Sequence, residues 1–201
     1  MCMSRADRLV GAALFVAALA LGTWYVPAVV AAGGRPHFYQ EEFGPAVMLA
    51  CGHGYVNPKN TAELSAFLPM QRAYRYLMTT VGLTWRLQGN VAWSALAPLY
   101  GLFYAATVVL LYAVFRQGMG VWISAGLAVV LAVSPLHVMY LVHLRDYSKA
   151  PFVLALVLMA ARLLRGPLTF THAARLAGGA GVLTGVAMGY RNDLLIAVPA
   201  F

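Results

Sequence analysis

Apolar residues in this chain fall in long unbroken runs, not in stripes. The first covers residues 9–32, the next two cover 93–115 and 121–142, and shorter ones follow at 151–164 and 176–190. A helix needs about 20 such residues to cross ~30 Å of hydrocarbon. The period-2 alternation of an outer-membrane barrel is absent, and in lipid only helices and closed barrels satisfy their own backbone. The pattern therefore predicts an all-α fold, a polytopic transmembrane helical bundle. Pro135, inside the third run, is tolerable there as a kink. A sixth run, LLIAVPAF, begins at Leu194.

Residues 33–91 break the pattern and read as a large first extracytoplasmic loop carrying surface helices. In NTAELSAFL, Asn60 stands three residues before Glu63, the spacing of a capping box at a helix start. Pro69 then introduces MQRAYRYLMTTVGLTWRL, where apolar and aromatic residues recur at helical spacing among Arg72, Arg75 and Arg86. Such a helix either lies on a membrane surface or packs on protein. The whole of 1–201 reads as a single membrane domain that ends inside an apolar run, either a fragment of a longer chain or a shortened one.

Charge sharpens the reading. Only 10% of the residues are charged, against about 25% in soluble domains, and the mean hydropathy is +0.74. The net charge of +8 does not point to nucleic acid, because the cations sit at run ends and in loops. There they set topology and meet membrane lipid. With the N-terminus inside, the inner face carries Arg5, Arg8, Arg116, Arg162, Arg165 and Arg175, while the short outer loops carry Arg145, Lys149 and Arg191. The acids divide the other way: Asp7 is inside, and Glu41, Glu42, Glu63, Asp146 and Asp193 are outside. A signal peptide with VVAAGG as its cleavage site is the rival reading of the first run, but it calls for an apolar stretch of only ~7–15 residues. Cys2 and Cys51 fall on opposite faces and form no disulfide framework. The Ala- and Arg-rich composition, with Lys59 and Lys149 as the two lysines, suggests a GC-rich bacterial genome, and together with the apolar runs a bacterial inner membrane.

Three stretches carry candidate chemistry. In HFYQEEFGPAVMLACGHGYVNP, Glu41 and Glu42 are adjacent acids just beyond the first run. They suit a general base on an acceptor, or a contact to a divalent cation such as Mg or Mn; the plain alternative is two solvated loop acids. In HLRDYSKAPF, Asp146 is a further acid, and Arg145 and Lys149 can neutralise a phosphate, one as a fork and one as a point charge. The alternative is an ion cluster snorkelling at a helix end. In GYRND, Arg191 is a third cation for an anionic head group or an interfacial anchor. His137 reads as a helix-packing polar residue, and Gly181, Gly185 and Gly189 read as a close-packing stripe. His53, His143 and Cys51 lack metal-ligand spacing. There is no phosphate loop, dinucleotide fingerprint or serine elbow.

The order of these features resembles the N-terminal half of membrane glycosyltransferases of the GT-C superfamily, among them protein O-mannosyltransferases and lipid A aminoarabinose transferases. YQEEFGPAVMLACGHGY is similar to their first-loop motif, an acid pair followed by an aromatic residue and a small-residue helix. RDYSKAPF and GYRNDLLIAVP are similar to segments of bacterial members. The resemblance implies transfer of a sugar from a polyprenyl-phosphate donor to an acceptor glycan, lipid or protein on the outer face. It implies Glu41 or Glu42 as base, Asp146 as the acid of the second outer loop, and Arg145, Lys149 and Arg191 at the carrier phosphate. Glu stands here where the family often has Asp. The other class of function consistent with the residues is a non-catalytic membrane protein, either a transporter subunit or a lipid-binding assembly partner.

Overall fold

The computed structural model describes residues 4–34, 42–58, 69–166 and 169–194. Among them every regular element is helical: α1 (Arg5–Ala31), α2 (Gly44–Ala50), α3 (Pro69–Ala73), α4 (Arg75–Gln88), a 3-10 turn (Trp93–Leu96), α5 (Ala97–Phe115), α6 (Val121–Ala132), α7 (Pro135–Leu141), α8 (Leu144–Tyr147), α9 (Ala150–Arg165) and α10 (Phe170–Met188). Three stretches are long and apolar enough to cross a membrane: Arg5–Ala31, Trp93–Phe115 and Leu144–Arg165. The pair α6–α7 adds a fourth if its bent halves form one span. These helices mark an integral membrane protein.

The centre of the bundle is the antiparallel pair α1 and α5. Two glycines let the backbones meet. A Cβ on Gly22 would stand 3.0 Å from Gly101 Cα, and one on Gly101 would stand 2.8 Å from the Leu19 carbonyl oxygen and run into Thr23 Oγ1. Small residues at a crossing are how lipid-embedded helices gain contact without a hydrophobic driving force. Around the crossing Tyr100, Tyr104, Ala105 and Val108 are buried. At one end of the pair, Ser4 and Asp7 form a reciprocal capping box on α1. Asp7 also accepts from Tyr112 Oη at 3.0 Å and from Arg116 Nε at 2.6 Å. That contact fastens the start of α1 to the end of α5.

The expected span at 121–142 is broken, not merely kinked: α6 and α7 meet at 60°. Pro135 explains both the break and its repair. It has no N–H to give the Leu131 carbonyl, and its ring excludes a continuous helix. His137 Nδ1 lies 3.0 Å from Leu131 O instead, and Tyr104 Oη donates to Ala132 O at 2.7 Å. Because a carbonyl only accepts, His137 carries its proton on Nδ1, leaving Nε2 to accept from Tyr147 Oη at 2.6 Å. His137 is thus a packing residue of the helix break.

The helix predicted after Pro69 is present as α3 and α4, and it packs on protein. Leu77, Met78, Val81 and Trp85 are buried, Gly82 lies against the Ala46 backbone of α2, and Trp85 Nε1 donates to Ala92 O at 2.8 Å. Gly89 ends α4 in the left-handed region at φ 65°, which glycine adopts without a Cβ penalty.

The fifth predicted run differs more. Its helix begins earlier, at Phe170, with Thr169 as N-cap, and takes in polar residues that precede the apolar run at 176–190. It is not among the helices apolar enough to span. The glycine stripe divides: a Cβ at Gly189 would collide with the Tyr76 ring, whereas Gly181 and Gly185 have nothing within 4 Å. The Asn60–Glu63 capping box and the run from residue 195 onward lie outside the described residues.

Candidate functional site

The candidate residues arrive at one end of the bundle from three separate segments. Glu42 precedes α2 and is anchored by buried Phe43, whose ring meets Trp93 edge-on at 5.8 Å. The single turn of α8 buries Leu144 and Tyr147, which share a helix face at i and i+3 and leave Arg145 and Asp146 on the outer side. Lys149 stands where α9 begins, with Pro151 in its first turn. The third segment is clamped by α4. Gly189 O accepts from the Tyr76 and Leu77 N–H groups at 2.9 and 3.2 Å, groups that a helix start leaves without intrahelical partners. Tyr190 packs on Phe103 and Phe152 and shares a 2.9 Å hydrogen bond with Thr80 Oγ1. Arg191 is then held over the Tyr74 ring at 5.8 Å.

These segments are tied together by ion pairs. Arg145 Nη1 donates to both carboxylate oxygens of Glu42, at 3.2 and 3.1 Å. Arg191 Nη1 donates to Asp146 Oδ1. Lys149 Nζ donates to Asp193 Oδ2 at 2.8 Å, and Arg191 Nε lies 3.3 Å from the same oxygen. Burial works against the Arg191 charge, but Asp146 and Asp193 outweigh it and raise its pKa. Among the described residues three acids thus face three cations.

The structure brings together Glu42, Arg145, Asp146, Lys149 and Arg191 from the sequence-based set; Glu41 lies outside the described residues. The Glu42 side chain is 10% exposed and that of Asp146 38% exposed, so of the two Asp146 is the carboxylate an incoming group can reach. Asp193 was legible only as one of the outer acids; its place two residues after Arg191 was the available signal. Among the described residues no three His, Cys, Asp or Glu side chains group as metal ligands. The described acids face guanidinium or ammonium groups instead, so they do not fit a divalent ion.

Beside the cluster runs an apolar groove of about 640 Å³, formed by α5, the α6–α7 break, α8 and α9. Leu111, Leu136, Val153 and Leu154 give it hydrocarbon walls, and Asp146 and Lys149 are its charged residues. The volume falls within the ~300–1,000 Å³ of ordinary small-molecule sites. An apolar groove with a cation and a carboxylate in its lining suits an amphiphile with an anionic head.

Comparison with known protein families, with curated proteins and with solved structures finds no match to this chain.

Proposed function

We propose that this chain acts as a GT-C-like glycosyltransferase in a bacterial inner membrane. The N-terminus is cytoplasmic in this reading, and the charged cluster and the 33–91 loop face the periplasm or cell exterior. The donor is a sugar on polyprenyl phosphate. The observation that carries the reading is the apolar groove whose charged residues are Asp146 and Lys149. In this reading the polyprenyl chain lies along Leu111, Leu136 and Val153 and its phosphate meets Lys149, with Arg191 as the second cation on the Asp193 carboxylate that Lys149 also holds. A lipid-linked donor is held by its chain and its phosphate and needs no nucleotide-binding loop.

The chemistry is a single displacement. An acceptor hydroxyl or amine loses its proton to a carboxylate as its oxygen or nitrogen bonds to the anomeric carbon. The bond from that carbon to the phosphate oxygen breaks, and the electron pair leaves with polyprenyl phosphate. Cations fixed beside the leaving oxygen stabilise the charge as it develops. The exposures favour Asp146 as the base, with Glu42 positioning Arg145. Glu41 remains the neighbouring alternative from the sequence.

The test is carrier release from a panel of radiolabelled polyprenyl-phosphate sugars by membranes containing the chain. Turnover is expected for at least one sugar, lost in Asp146→Asn and weakened in Lys149→Gln. Binding of the carrier without turnover of any sugar would reject the enzyme. It would favour a lipid-binding assembly partner, a reading supported by the pairing of each described cation in the cluster with a carboxylate.

A further inference from the structure

We infer that Asp193 is a built-in occupant of the anion site, a carboxylate that sits where a ligand phosphate docks and must swing away before it does. The inference rests on the carrier-binding reading above. Asp193 Oδ2 receives Lys149 Nζ at 2.8 Å and lies 3.3 Å from Arg191 Nε. The two cations come from different elements, one at the start of α9 and one just past the end of α10, yet they converge on a single oxygen. That is the arrangement one phosphate oxygen would take between a point charge and a guanidinium.

A second observation separates Asp193 from the other acids. Arg191 Nε is enclosed and makes no hydrogen bond, so Asp193 fills the position without the alignment that would satisfy it. The Glu42 carboxylate, by contrast, accepts two hydrogen bonds from Arg145. The Lys149–Asp193 pair is also the most open of the three links, with side chains 36% and 42% exposed. Solvent screens a pair that open, and opening it is cheap. Lys149 lines the groove, so a phosphate arriving with its chain in the groove reaches the ammonium that Asp193 holds. Asp193 therefore competes with the phosphate and sets how tightly the carrier is retained.

The experiment uses the full chain in phosphatidylcholine nanodiscs, titrated calorimetrically with farnesyl phosphate, farnesol and inorganic phosphate. Asp193→Asn is expected to bind farnesyl phosphate roughly two- to fivefold more tightly than the parent, the range expected from removing a screened competing pair. Lys149→Gln should cancel the gain. A gain confined to farnesyl phosphate assigns the lipid carrier; an equal gain for inorganic phosphate supports the same gate with free phosphate as its ligand. Unchanged or weaker binding by Asp193→Asn, with Lys149→Gln alone still impaired, overturns the gate and leaves the carrier reading standing. Farnesol binding as tight as farnesyl phosphate and indifferent to Lys149 removes the anion site and the gate together. Asp193→Ser serves as the second variant, and equal melting temperatures confirm that both fold.

Discussion

At Gly101 the crossing of α1 and α5 is exposed to the addition of a single atom. An alanine Cβ there would lie 2.8 Å from Leu19 O and 3.2 Å from Leu19 Cδ1, and would overlap Thr23 Oγ1. The hydroxyl can rotate, but the carbonyl belongs to the α1 backbone, so relief requires α1 and α5 to separate by roughly half an ångström. Overpacking of this kind costs about 1–3 kcal/mol, against a gain of about 1 kcal/mol for replacing glycine within a helix. With backbone as the obstacle the upper half of that range applies, leaving a net loss of about 1–2 kcal/mol. At ~2–4 °C per kcal/mol for a chain of this size, Gly101→Ala should melt several degrees lower. Gly126, in α6, has nothing within 4 Å, so Gly126→Ala gains the helix preference with no clash. The assay is thermal unfolding of the purified protein in detergent, read by size-exclusion fluorescence. Equal melting of the two variants, or a higher melting point for Gly101→Ala, would refute the close crossing.

Other consequences follow from single contacts. Tyr104→Phe strips the Ala132 carbonyl of its donor at the helix break and should cost about 1–3 kcal/mol, read as a lower melting temperature that Tyr76→Phe does not reproduce. Reversing Glu42 alone to Arg should destabilise the charged cluster, and adding Arg145→Glu should restore part of the loss; a double variant no better than the single one would show that the pair does not hold the Glu42 segment to α8. Burial pushes the Tyr55 phenol up to about 12, against the opposing pull of Arg75, and its hydroxyl donates to Gln71 O at 2.6 Å. The folded pKa lies above the ordinary value of ~10, so this contribution is whole below about pH 10 and is lost as pH rises toward 12. The melting temperature should therefore fall more between pH 9 and 11 in the parent than in Tyr55→Phe, and equal falls would count against it.

The apolar runs at 9–32 and 93–115 made two membrane helices legible by length alone, whereas the third, Leu144–Arg165, extends beyond its run at 151–164. The break in α6–α7 was visible only as Pro135; its depth depends on His137 and Tyr104 capping the freed carbonyls, and the Tyr104 contact reaches across from a different helix. The start of α10 was misplaced because Thr169 caps a helix whose first turns are polar, and hydrophobicity carries no trace of such turns. Glu42, Arg145, Asp146, Lys149 and Arg191 were nameable from residue type and position between runs. Their pairing was not, since opposite charges on three loops permit several matchings and tertiary geometry chooses one. The groove was invisible for a similar reason: its walls are ordinary Leu and Val, and only the bend at Pro135 opens space between them.

The most direct test of a carrier site is photolabelling of the full chain in nanodiscs with a benzophenone analogue of farnesyl phosphate, followed by peptide mapping. The account predicts label concentrated on the segments bearing Leu111, Leu136 and Val153, reduced by excess farnesyl phosphate and by Lys149→Gln, but not by farnesol. Label spread over the exposed faces of α1, α6 and α10, and equal for the phosphate and the alcohol, would contradict it: the groove would then be a crevice filled by bulk lipid.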